Sequence, residues 1–168
     1  MSLLSLYAAI FEETGDRSLH EALTGSCLCG AVHYALKPGY RMKPYACHCT
    51  DCQKRTGSAF SSHMAVMEQD LTITGELTEG HVVQPSGANS TIVGCKTCMS
   101  RIYAKNDKRA GMISIRVRTL DISSSSTPAA HLWVKSKQPW IVIPDDVPAL
   151  ETQPQSSKEW MQLLGPDP

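Results

Sequence analysis

Seven cysteines fall into three groups: Cys27 and Cys29, then Cys47, Cys49 and Cys52, then Cys95 and Cys98. No arrangement of this chain can ignore that pattern. Buried thiols serving as small hydrophobes would not sort into C-x-C, C-x-C-x-x-C and C-x-x-C. A disulfide framework fails on the odd count and on the tightness of C-x-C for a bridge. Metal binding has a physical reason for these spacings. Residues i and i+2 of an extended segment face one side, and a C-x-x-C turn folds two sulfurs toward one point. Zinc–sulfur bonds of ~2.3 Å in a tetrahedron need sulfurs within roughly 4 Å of one another, which both spacings allow.

Ligand arithmetic then separates two centres. Cys27, Cys29, Cys95 and Cys98 make a closed four-thiolate site that staples the start of the domain to its middle and contributes to folding. Cys47, Cys49 and Cys52 remain. Three protein ligands and an open fourth position are the pattern of a catalytic zinc. The competing reading fills the fourth place with a histidine or carboxylate and makes both sites structural. Two zinc ions per chain are expected. Three thiolates leave a divalent ion formally at −1, a weaker Lewis acid than one held by imidazoles, and a soft thiolate is its natural incoming ligand. Free thiols of pKa ~8.5 are mostly protonated at neutral pH, so the expected chemistry is thiol chemistry, a thiolate adding to a small carbonyl or the reverse.

The bulk sequence narrows the class. The 168 residues suit one ordinary domain. Sixteen basic and sixteen acidic residues cancel, which argues against a nucleic-acid surface. No apolar run is long enough to cross a bilayer, and the apolar start lacks a basic flank and a cleavage site, so the expected compartment is the reducing cytoplasm. Leu3, Leu4, Tyr7, Ile10 and Phe11 predict an N-terminal helical arm over 1–22. Short β-branched runs follow at 31–36, 61–67, 71–74, 81–83, 90–93, 101–104, 112–117, 131–135 and 140–143, the signature of an antiparallel, mainly β domain over 23–150. One helical turn is expected at Cys52–Arg55. Ser156 and Glu159 form a capping box ahead of Trp160, Leu163 and Leu164, predicting a short helix at about 156–164 in the C-terminal extension 151–168.

The stretches GSCLCGAVHY (25–34), CHCTDCQKRTGSAF (47–60), CKTC (95–98) with Ile102-Tyr103, and HLWVKSKQPW (131–140) resemble the glutathione-dependent formaldehyde-activating enzymes, whose domain is shared with centromere protein V. The resemblance covers about residues 23 to 150. It implies a zinc-bearing β-tent (Mss4-like) fold, a structural zinc on Cys27, Cys29, Cys95 and Cys98, and a more labile zinc on Cys47, Cys49 and Cys52. It also implies condensation of glutathione with formaldehyde, a carbon–sulfur lyase reaction. The family usually has Gly after the second Cys of C-x-x-C. Here Met99-Ser100 follows, and Met would be strained in a left-handed step, so either the knuckle turns differently or that zinc is held less well.

Other residues are weighed on this frame. His48 should point away from the metal, while His63 is the better candidate for a proton acceptor near Cys47, Cys49 and Cys52. Lys54 and Arg55 could attract the carboxylates of a glutathione-like thiol, with Gly57 and Ser58 offering further donors; a solvated face and a plain turn are the plain alternatives. Asp51 and Gln53 are expected to brace the loop, with orientation of a zinc-bound group as the alternative, His33 and His131 to be structural, and Trp133 and Trp140 to fill the core. The arm is expected to dock over the groove or onto a second copy in a homo-oligomer. Two other functions compete with the lyase: a non-catalytic zinc module for a protein partner, and a zinc hydrolase of imine-like adducts.

Overall fold

The computed structural model describes residues 22–39, 41–84 and 87–165. The expected N-terminal arm lies outside them. Among the described residues eleven strands form two sheets. The smaller is antiparallel in the order β1-β2-β5, from β1 (Leu23–Ser26), β2 (His33–Leu36) and β5 (Leu71–Thr74). The larger runs β11-β10-β3-β4-β9-β8-β7-β6. Its members are β3 (Tyr45–Cys47), β4 (Ser61–Met67), β6 (Leu77–Val83), β7 (Asn89–Cys95), β8 (Arg101–Asn106), β9 (Met112–Arg116), β10 (Ala130–Leu132) and β11 (Ala149–Leu150). All its pairings are antiparallel except those of β10, which runs parallel to β3 and to β11. The mainly β architecture with cysteine clusters agrees with a β-tent fold. Among the described residues no helix is long and apolar enough to cross a membrane.

Strand β4 explains how one sheet serves two environments. Its run from His63 to Val66 is buried on both faces. Alternation sends Met64 and Val66 into a core with Val32, Leu36, Ile113, Ile115 and Val117, between the two sheets. Ala65 faces the other way, into a second core with Tyr45, Leu132 and Leu164. Helix α2 (Ser157–Leu164) supplies Leu164, with Trp160 and Met161 packed alongside. The Ser156 side chain accepts from the Glu159 N–H at 3.2 Å, and the Glu159 carboxylate reaches back to the Gln155 N–H at 2.9 Å. The return bond goes one residue earlier than in the usual capping box.

The run 140–143 is not a strand. Pro139 and Pro144 bracket it and remove ladder donors, and the Ile141 N–H turns back to Gln138 O at 3.1 Å. Trp140 accordingly lies 70% exposed instead of filling the core, and Val142 is exposed with it. The run 131–135 stops as a strand at Leu132, because Trp133 takes a left-handed backbone (φ 61°) that opens a short 3-10 turn, Val134–Ser136. Strands β1, β3 and β11 are too short and too rich in Gly, Cys or Ala to stand out by periodicity.

Candidate metal centres and active-site cavity

The cysteine turns build two thiol clusters. Cys27, Cys29, Cys95 and Cys98 place their sulfurs within 4.8 Å of one another, as do Cys47, Cys49 and Cys52. In the first cluster Cys27 and Cys29 lie 3.5 Å apart and Cys29 and Cys95 3.9 Å, spacings that suit sulfurs sharing a tetrahedral ion. Two turns carry it. Cys29 follows Cys27 in the β1–β2 connection, and Cys95 ends β7 with its N–H bonded to Ser100 O and its carbonyl accepting from Met99 N–H, both at 2.9 Å. Met99 holds φ 60°, so the knuckle keeps a left-handed step without the glycine usual there. The Met99 side chain points into solvent, 72% exposed. Ser100 Oγ lies 3.2 Å from Cys98 Sγ, and that hydroxyl and the Ser100 backbone N–H bring the Cys98 thiol down to about 5.

The second cluster sits where β3 runs into helix α1 (Thr50–Thr56). Cys47 ends the strand, Cys49 caps the helix by accepting from the Cys52 N–H at 3.4 Å, and Cys52 lies one turn in. Hydrogen bonds from Cys47 and Cys52 hold the Cys49 thiol down to about 2, while Cys47 is pushed up by the same contacts and by burial. The donor set of each cluster fits zinc: four thiolates in one, three in the other. Among the described His, Cys, Asp and Glu side chains, the mutually close set of the second cluster stops at three.

His63 stands beside that set. It pairs with Tyr45 across β3 and β4, stacks on its ring at 5.4 Å and brings Nε2 to 3.6 Å from Cys52 Sγ. Burial, aided by Arg116 and Arg101, pushes its pKa well below the ordinary histidine range, so the ring is neutral at neutral pH. His48 does turn away from the sulfurs. It is fully buried, and its Nε2 meets His131 Nδ1 at 2.8 Å under the Phe60 ring. The parallel pairing of β10 with β3 places His131 opposite Ala46, two residues before His48 on the same face. His33 is exposed on β2.

Gln53 braces the cysteine loop. Its Nε2 donates to His48 O at 2.7 Å and to Ser136 O at 2.8 Å, tying the loop to the turn after β10. Asp51 pairs with Arg55 at 4.0 Å. Gly57 takes the left-handed φ of 62° that ends α1, and its N–H bonds Gln53 O.

The three sulfurs open onto a cavity of about 360 Å³ across the face of the large sheet. Arg55, Arg101, Lys105, Arg109 and Lys135 line it, against the one acid Asp51. Lys54 lies on an adjoining groove, with Arg55 and Val83, while Gly57 and Ser58 do not line the cavity. Trp133 forms part of its wall, half-buried. Sequence reasoning did not find Arg101, Lys105, Arg109 and Lys135, which come from three separate parts of the chain. The signal available for Arg101 is Gly94, a lone glycine inside a strand pattern just before Cys95, which marks a bulge.

The profile of the glutathione-dependent formaldehyde-activating enzymes matches residues 22–136. A comparison with curated proteins finds no match. Among solved structures, the crystal structure of a Rhodobacter sphaeroides protein superposes with a TM-score of 0.46 at 18% identity, covering 58% of this chain and 87% of that one. The profile match takes in all seven cysteines and well over half of the chain, which belongs to the glutathione-dependent formaldehyde-activating enzyme family.

Proposed function

We propose that the protein is a zinc-dependent carbon–sulfur lyase that joins a glutathione-like thiol to a small carbonyl such as formaldehyde, or cleaves the S-hydroxymethyl adduct. The observation that carries this reading is the three-sulfur set of Cys47, Cys49 and Cys52, which no fourth ligand atom among the described residues joins at the same mutual spacing, although His63 Nε2 lies 3.6 Å from Cys52 Sγ, with a cation-lined cavity in front of it. Zinc held by those sulfurs would supply a Lewis-acid position that keeps an incoming thiol deprotonated at neutral pH. Cys27, Cys29, Cys95 and Cys98 would hold the second, structural ion.

In this reading the chain's own residues position and move the proton. His63, with Nε2 3.6 Å from Cys52 Sγ, takes the proton as the substrate sulfur loses it. The sulfur adds to the carbonyl carbon, the C=O π pair moves to oxygen, and that oxygen receives the proton from His63. Atoms and charge balance as thiol plus carbonyl gives hydroxymethyl thioether. Arg55 and Lys54 draw carboxylates toward the rim, and Gly57 and Ser58 shape the outer turn. A reducing cytoplasm suits seven unpaired thiols.

The test is exchange between free and hydroxymethylated glutathione, followed by magnetisation transfer in the presence of formaldehyde. Zinc-loaded protein should accelerate exchange, and Cys49→Ser or a chelator should abolish the gain. Exchange no faster than in buffer would reject the formaldehyde assignment.

A further inference from the structure

The β7–β8 pairing slips at one point. Val93 pairs with Tyr103 and Gly94 with Arg101, leaving Ile102 as an extra residue. In regular alternation Arg101 would share a face with Tyr103. Because of the bulge, Ile102 and Tyr103 both enter the core between the sheets, and Arg101 emerges on the opposite face, as part of the cavity wall. Gly94 permits this: a Cβ there would lie 2.9 Å from Ser100 O and 3.4 Å from Arg101 Cα.

The other four cations around the cavity each have a partner. Arg55 pairs with Asp51 at 4.0 Å and Lys105 with Glu68 at 2.8 Å. Arg109 lies 6.0 Å over Trp160, and Lys135 4.9 Å over Trp133. Arg101 differs. Its Nε and Nη1 are buried without a hydrogen-bond acceptor, and no described carboxylate pairs with it. Burial, with Arg116 nearby, lowers its pKa only to about 10, so it stays cationic at neutral pH. A half-buried cation with no carboxylate partner and two unbonded donor nitrogens, bordering a cavity, is a costly arrangement unless a ligand supplies an acceptor.

We propose that Arg101 is the specificity-determining residue of this cavity and binds a carboxylate of the substrate thiol, so that the site selects anionic thiols over neutral ones. The proposal rests on the reading of the cavity as a thiol site. Arg116 is distinct because it is buried and does not line the cavity; the charge of Cys52 acts on both arginines, and of the two Arg101 alone borders space that a ligand can enter.

The test is calorimetric titration of zinc-loaded protein with glutathione, with its diethyl ester, which keeps the thiol and loses both carboxylates, and with S-methylglutathione, which keeps the carboxylates and loses the thiol. Wild type should prefer glutathione to the diester by about 10-fold or more. Arg101→Met should erase that preference and weaken S-methylglutathione equally, and Arg101→Lys should restore part of both. Two zinc ions per chain should remain in each variant. Equal wild-type affinity for glutathione and its diester overturns the proposal without any variant. So does a preference that survives in Arg101→Met, or a variant that loses zinc while keeping the preference, which would make Arg101 a counter-charge to the metal cluster. Loss of exchange catalysis with Arg101-dependent binding intact would instead reject the lyase reading alone.

Discussion

The two thiol clusters use the same side chain and differ in almost everything around it. The four-sulfur cluster lies between two turns at the protein edge, with Leu28 (89%) and Met99 exposed at their tips. Its cysteines come from positions nearly 70 residues apart, so an ion held there would join β1–β2 to β7–β8. The three-sulfur cluster comes from one six-residue stretch, joins nothing distant, and faces a cavity walled by cations. A set of ligands that closes a long loop contributes stability, whereas a local set that stops at three leaves room for chemistry.

The sharpest way to break this contrast is to remove one sulfur from each. Cys95→Ser should lower the melting temperature by more than about 10 °C or prevent folding, since structural zinc contributes folding free energy outright. Cys49→Ser should leave melting within about 4 °C of wild type and bring metal content from two ions per chain to one. Equal destabilisation by both, measured by calorimetry and metal analysis, would erase the distinction between the two centres.

Gly94→Ala tests whether the centres are linked. One hairpin carries the Cys95–Cys98 knuckle at its tip and Arg101 at the first residue of its return strand. The added Cβ would meet Ser100 O at 2.9 Å, so the bulge must shift. The expected cost is about 1–3 kcal/mol by thermal or urea unfolding, with weaker binding of carboxylated thiols. A variant that keeps full stability would show that the bulge is not what aims Arg101.

Met99→Gly sharpens the structural side. A left-handed backbone costs a non-glycine residue roughly 1–2 kcal/mol, and glycine returns part of that as lost chain entropy. The net expectation is a gain of about 0.5–1 kcal/mol, read as a rise in the urea midpoint, with the cavity's binding unchanged.

Acid sensitivity should be the smallest effect. Burial lowers both His131 and His48, the latter to about 4, so the folded state holds them neutral. The unfolded chain takes up protons as pH falls below ~6.5, so their contribution is complete above that value and is lost progressively toward pH ~4. His131→Asn should flatten the dependence of melting temperature on pH in that window; an unchanged slope would place the acid response elsewhere, at the thiolates.

Much of this was legible from residue spacing. Seven cysteines divided as four and three because ligand counts are integers, and β4 and β5 were found at their ends because β-branched runs alternate. The short helix α2 was readable because Ser156 accepts from the first-turn Glu159 N–H and Glu159 reaches back over the helix start, whatever lies nearby. Trp140 misled because an apolar run between two prolines has strand composition but no ladder donors to spare.

Local chemistry, then, determined which atoms could share an ion, since thiol spacing is fixed by a few backbone bonds. What surrounds those atoms was decided by tertiary structure alone. His63 meets Cys52 only through the antiparallel pairing of β3 with β4, and His48 meets His131 only through the parallel β10. Arg101 faces the cavity only because one extra residue in β8 reverses its side. Strand alternation has a period of two, so a one-residue slip, set by a partner strand, decides whether a side chain enters a core or a site.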